Sequence, residues 1–292
     1  MVYALVLAAA LVSAVGEVVQ QRLARQAPAE DNLSPRLVLW LARRPRWLAG
    51  VGCTAAGDLL FSAALAFGSV VLVEAVFAVR LVFALVIAAA WGWHRVPRRD
   101  VLGALVLTVG LAAFLLAAHP GAMAGGSAAG LRWVVGAAAV VVVSGVLTLT
   151  AARLTGAARA LLLGLAAGPF FGLQAALMQR SVRILVDSGV GALATTWSGY
   201  AIAGAALIGT LLAQSAFNAA PLTASYPGLV ATQLLSSIAL GIGVLGGSGR
   251  LEAADLATGV AALLAMLGGV VALARSPLVT GGAAADVVPG RG

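Results

Sequence analysis

GDLLFSAALAFGSVVLVEAVFAVRLVF (57–83) decides the fold of this chain. Three ionisable side chains, Asp58, Glu74 and Arg80, interrupt an otherwise apolar run, and a small turn at Gly68-Ser69 divides it. The apolar segment on each side extends to about 20 residues, enough for a helix to cross a bilayer. A two-residue connection forces the two helices into an antiparallel hairpin. At ~1.5 Å rise per residue, Asp58 and Arg80 each lie roughly 16 Å from the turn, level with the bilayer centre. A charge at that depth is costly, so it faces a partner or a water-filled path. Three readings stand: an ion pair that fixes the hairpin, a substrate or proton site that the pair gates, or separate partners for each residue.

Working outward, the same pattern fills the chain. Apolar spans fall at 2–22, 47–67, 70–93, 100–118, 132–153, 159–182, 192–216, 221–245 and 253–274. The predicted fold is all-α, a polytopic transmembrane bundle of about nine helices, with ten as the other count. Composition agrees: 62% of the 292 residues are hydrophobic and 10% charged, far from the balance of a soluble domain. The first segment has no basic residue before its apolar run, so it reads as a true helix and not as a cleavable signal. Cys53 is the only cysteine, which excludes an intramolecular disulfide.

The net charge of +8 would point to nucleic acid in a soluble protein. Here all 18 basic residues are arginines, and they lie beside the spans, so no nucleic-acid partner is expected. Thirteen arginines fall in the loops after spans one, three and five and in the tail; four fall on the opposite side, and Arg80 is within the membrane. The positive-inside rule then predicts an external N-terminus and a cytoplasmic C-terminus in a bacterial inner membrane. The arginine-rich connection 23–46 contains Ser34-Pro35, a helix-start signal, before the apolar run Leu37 to Leu41. A short interfacial helix is expected there, with Trp40 and Trp47 at headgroup depth.

A weak internal repeat is present. Trp47 and Trp197 are 150 residues apart, as are Phe67 and Phe217, and both segments carry a tight turn, the second at Asn218 to Ala220. VVQQRLAR (18–25) recurs as ALMQRSVR (176–183). Spans one to four would then map onto six to nine, an odd offset that makes the copies inverted in the membrane. Inverted repeats place a transporter's site near mid-membrane between the halves. The expected division is a first repeat at 1–131, a joining span at 132–158, a second repeat at 159–275 and a disordered tail at 276–292.

The stretch Gly57-Asp58 to Val73, with its alanine-rich turn ending Ala66-Phe67 and then Leu72-Val73, resembles the NIPA-like branch of the drug/metabolite transporter superfamily. Gln214 to Ser225 resembles the second half of EamA-like members. The resemblance spans nearly the whole chain. It implies two inverted halves around a central cavity, a transport activity, and Asp58 at the acidic position. The chain departs from the pattern at Glu74-Ala75, where NIPA-like members carry proline, and at Gly246-Gly247-Ser248, where Gly-Glu is usual.

The candidate pathway residues are Glu17, Asp58, Glu74 and Arg80 from the first half and Gln174 and Gln233 from the second. Gln20 shares a helix face with Glu17; Trp197, Tyr200, Gln214, Asn218 and Tyr226 are secondary candidates. Each polar residue has an alternative role as glue between helices. Pro169 and Pro227 are placed to break helices six and eight and free backbone carbonyls for a site. No nucleophile elbow, phosphate loop or HExxH occurs, and His94 and His119 fall at opposite ends of the bundle, so neither catalysis, a cofactor nor a resident metal is expected. The expected function is secondary transport of a small organic solute by alternating access. The alternatives are a NIPA-like magnesium or divalent-cation route through Asp58 and Glu17, and a non-transporting membrane scaffold. The expected partners are the lipid bilayer and a small solute or ion, with a homodimer permitted.

Overall fold

The computed structural model describes residues 2–65, 79–91 and 130–244, with isolated positions at 73, 76, 77 and between 102 and 110. The turn at Gly68-Ser69, Glu74, the ninth span, the tail and most of the fourth span lie outside the described residues. Among the described residues the chain is helical and has no strand. The helices are α1 (Val2–Ala24), α2 (Pro35–Ala42), α3 (Pro45–Leu65), α4 (Arg80–Ala90), α5 (Gly130–Ala152), α6 (Gly156–Thr195), α7 (Trp197–Ala219) and α8 (Leu222–Gly243).

Four segments are long and apolar enough to cross a membrane: α1, α5, α7 and Gly156–Met178 within α6. Their outward faces are apolar as well. Leu131, Val135, Val142, Val146 and Leu149 of α5 are all exposed. In water such a surface would drive association, whereas hydrocarbon solvates it. This is a membrane protein.

Two helix groups form the core: α1 packs on α3 and α4, and α6 packs on α7 and α8, with α5 flanking α6. Lipid tails are as apolar as leucine, so association depends on close approach of backbones through small residues. Gly164, Gly168 and Gly172 make such a ridge on α6. A Cβ at Gly168 would lie 2.6 Å from both Leu229 O and Gln233 N of α8. In the first group, a Cβ at Gly16 would lie 2.8 Å from Thr54 N, and one at Gly57 3.0 Å from Ala9 O. The four-residue spacing of these glycines on α6 is a packing motif carried by the sequence itself.

Among the described residues, α1, α3, α5 and α8 match the first, second, fifth and eighth expected spans to within about two residues, and the sixth requires a correction. Helix six runs past 182 to Thr195 and is interrupted at Gly189, where φ is 78°, a backbone state that glycine adopts without a Cβ penalty. The seventh span therefore starts at Trp197 rather than at 192. The prolines require a second correction, because α6 and α8 continue through Pro169 and Pro227. Proline at 169 removes the N–H that Leu165 O would accept. The Thr232 hydroxyl of α8 lies 3.1 Å from that carbonyl and shares its single proton between it and the carbonyl of Gly228 at 2.9 Å, so the neighbouring helix supplies part of the lost bond.

The short helix after the arginine-rich loop forms as expected, with Ser34 Oγ accepting from Arg36 N at 3.2 Å and proline at the first position. Its Leu37 and Leu41 are fully buried, and it packs against α3 and α7. Arg44 stacks over Trp40 at 4.4 Å, and Trp47, near the start of α3, is buried against the core.

Gly168→Val should lose most of its monodisperse protein in detergent, because overpacking this contact costs roughly 1–3 kcal/mol. Gly52→Ala, where a Cβ meets nothing within 4 Å, should behave as wild type. Equal melting temperatures for the two variants would contradict this packing account.

Candidate functional site

Polar side chains from both helix groups meet around Arg80. The first residue of α4, it is 8% exposed and lies over the Phe77 ring at 4.6 Å. Its Nη2 donates to Gln233 Oε1 of α8 at 3.2 Å, which ties the two groups together. The Arg80 charge acts on both Glu17 of α1 and Asp58 of α3, and Asp58 acts on Glu17. Arg80, Glu17 and Asp58 thus form one electrostatic cluster, with Gln233 bonded to its cationic member. Glu17 is partly buried, while Asp58 is exposed in spite of its position in the body of α3. Glu17 Oε2 and Arg80 Nε are buried without a hydrogen-bond partner among the described residues. One is an acceptor and the other a donor, so the cluster retains unsatisfied hydrogen-bonding capacity of both kinds among the described residues.

A second network continues from the same helix faces. Gln20 lies one turn from Glu17, and Thr54 one turn from Asp58. Gln214 Nε2 of α7 donates to Gln20 Oε1 at 2.9 Å, and Gln20 Nε2 donates to Thr54 Oγ1 at 2.7 Å. Thr54 Oγ1 in turn donates to Gly50 O at 3.0 Å. This chain crosses three helices and both groups.

The third network is a clip at the arginine-rich end. Asn218, at the close of α7, donates from Nδ2 to Ala24 O at 2.8 Å and to Ala27 O at 3.0 Å. Asn32 Nδ2 reaches Ser215 O at 2.8 Å and Asn218 Oδ1 at 3.0 Å. Arg159 of α6 donates to Asn32 Oδ1 at 2.8 Å, and Leu33 N donates to Ser215 Oγ at 3.1 Å. Leu33 has φ of 63°, a left-handed state that is uncommon for a residue with a Cβ. The connection between α1 and α2 is therefore held in shape by the second helix group.

The sequence candidates sort as follows. Glu17, Asp58, Arg80 and Gln233 come together; Gln20, Gln214 and Asn218 build the adjoining networks. Gln174 is on α6 with a buried Oε1 that has no partner among the described residues. Tyr226 is fully buried with its ring edge-on to Phe217 at 6.4 Å. Tyr200 is 76% exposed and faces away from the core. Trp197 is in a separate cluster with Trp133, 5.8 Å between ring centroids, and Arg180 lies 5.3 Å from the Trp197 ring. Glu74 lies outside the described residues. Asn32, Thr54, Arg159 and Ser215 were missed by sequence reading. Thr54 was the most accessible of these, one turn before Asp58 on the same face; Asn32 offered only its place in a polar run before Ser34-Pro35.

The chain is 32% identical over 241 residues to an uncharacterized protein of Corynebacterium glutamicum, covering 82% of this chain and 83% of that protein. It belongs to that protein's family. No family model and no solved structure matches the chain. Family membership thus extends across most of the helical body, while the assignment of chemistry rests on the polar networks themselves.

In a double-mutant cycle, Gln20→Leu and Gln214→Leu should show a coupling of about 0.6–1.7 kcal/mol in unfolding from mixed micelles, the range of interhelical hydrogen bonds in a membrane protein. Strictly additive effects would show that this bond is not a link between the groups.

Proposed function

We propose that this protein is a secondary transporter of the drug/metabolite type that moves a small organic solute across the bacterial inner membrane by alternating access. The observation that carries the reading is the Arg80–Gln233 bond between two helix groups, formed beside two carboxylates within an otherwise apolar bundle. A charged cluster inside a membrane protein is costly to maintain and commonly marks a transport path. Its position between two groups that each gather a leading helix and two partners is where an inverted-repeat transporter holds its solute. In this reading nine spans form two inverted halves, with the N-terminus outside and the arginine-rich end in the cytoplasm.

The chemistry of the site favours a zwitterion or a polar neutral solute. Arg80 attracts an anionic group, while Glu17 and Asp58 attract a cationic or hydrogen-bond-donating one. With both carboxylates ionised the cluster carries one net negative charge. A single proton, or the ammonium of a bound solute, brings it to neutrality and lowers the cost of burying it. Proton and solute therefore compete for the same charge, which is the basis of an exchange cycle. In this reading the clip of Asn32, Ser215 and Asn218 holds the arginine-rich ends of the two groups together and serves as the gate on that side. A divalent cation would have to bind beside Arg80, whose charge opposes it.

The test is uptake into proteoliposomes under a proton gradient, with amino acids, amines, organic anions and Mg²⁺ supplied in parallel. Arg80→Gln, Asp58→Asn and Glu17→Gln should each reduce zwitterion flux at least about tenfold, the order expected when a charged partner worth 1.5–3 kcal/mol is removed. Mg²⁺ flux that depends on both carboxylates and survives Arg80→Gln would establish the cation route instead. No flux of any solute would favour a scaffold.

A further inference from the structure

Arg180 of α6 is the centre of a cluster at the end of the second helix group opposite the clip. On α7 this cluster takes Trp197, the first residue, and the clip takes Asn218; at ~1.5 Å rise per residue they are roughly 30 Å apart. The Arg180 guanidinium lies over the rings of Trp197 and Trp133, 5.3 Å and 5.8 Å from their centroids. The two rings meet edge to face at 74°, so they form a corner with the cation in it. Ring faces attract the charge but offer no oxygen to its N–H groups.

Two donors in this corner are left open. Arg180 Nε and Trp133 Nε1 are buried without a hydrogen-bond partner among the described residues, and Trp133 is only 4% exposed. Both groups can donate and neither can accept. Ser181 Oγ, next in the chain, donates instead to Ser198 Oγ at 3.0 Å, which pins this turn of α6 to the start of α7. The helix starts at Gly130 and Trp197 add partial positive charge from their first N–H groups. Water accepts from two donors but leaves the guanidinium charge unanswered; an anion answers both.

One positive charge and two donors match a carboxylate, which has one negative charge and two accepting oxygens. The Arg180 guanidinium and the Trp133 ring are 5.8 Å apart between centres, a gap that one carboxylate bridges with hydrogen bonds of about 2.9 Å on either side. Trp197 is 47% exposed, so the corner opens past its ring, where an aromatic body can pack.

We infer that this corner is a binding site for an aromatic carboxylate, with the carboxylate between Arg180 Nε and Trp133 Nε1 and the ring of the ligand against Trp197. The inference concerns equilibrium binding and does not require transport, so its failure and that of the transport reading are separate results.

Ligand-observed NMR titration of the full-length protein with benzoate in a neutral detergent, with protein-free micelles as the blank, tests it. Benzoate should bind saturably, and benzyl alcohol, its uncharged counterpart, should not. Arg180→Gln should weaken benzoate by at least about tenfold, the order of a hydrogen bond to a charged group. Trp133→Phe keeps the guanidinium and an aromatic ring and removes one donor; it should weaken benzoate about threefold or more, which keeps the test decisive if Arg180→Gln fails to fold. Arg132→Gln removes an exposed charge beside Trp133 and should leave binding unchanged. Equal losses in Arg132→Gln and Arg180→Gln would overturn the site in favour of diffuse attraction, and unaltered affinity in Trp133→Phe would overturn the bridged geometry. No saturable benzoate binding, or displacement of benzoate by an equal concentration of chloride or short-chain phosphatidylglycerol, would overturn the assignment to an aromatic carboxylate.

Discussion

A guanidinium enclosed by apolar helices costs several kcal/mol unless charge and hydrogen bonds are supplied from inside the bundle. At Arg80 the supply is divided: carboxylates from α1 and α3 provide the charge, and an amide from α8 provides a hydrogen bond. Because the partners belong to different helix groups, the groups cannot be arranged independently. The close glycine contacts let each group form, and the Arg80 cluster fixes how one faces the other. Satisfaction is incomplete, with Glu17 Oε2 and Arg80 Nε unpartnered among the described residues.

The polar networks differ in what they resist. The Gln20–Gln214 bond is buried, and breaking it leaves amide groups in an apolar setting. The clip is partly exposed, so water can replace its bonds when it opens. A connection that is closed by several replaceable bonds, with a strained backbone at Leu33, is suited to two states of similar energy. In the proposed cycle the buried bonds keep the helices in register, and the clip is the part that moves.

Much of the fold was legible because span length and apolar composition are properties of single segments. The Ser34-Pro35 start, the tight connection before α8 and the long apolar spans all follow from local chemistry. What needed coordinates was pairing between distant helices. Pro169 reads as a helix breaker until Thr232, 63 residues later, is seen with its hydroxyl within hydrogen-bond distance of Leu165 O. Gly189 reads as one more small residue in a helix until its positive φ is known. The site shows the same division. Asp58 and Arg80 were marked by charge at matching depth, and Gln233 by isolation in an apolar run. Asn32 and Ser215 lie in a loop and at a helix end, where polar residues are ordinary, so nothing in the sequence separated them from solvated positions.

Alternating access requires that the arginine-rich ends of the two groups separate and close again. Pulsed electron paramagnetic resonance can measure this in a bilayer, with spin labels at Leu48→Cys on α3 and Leu154→Cys before α6, both exposed, in a Cys53→Ala background. The account predicts two distance populations, the shorter matching the clipped conformation, with Asn218→Ala shifting weight to the longer. A single narrow distance that Asn218→Ala leaves unchanged would contradict it.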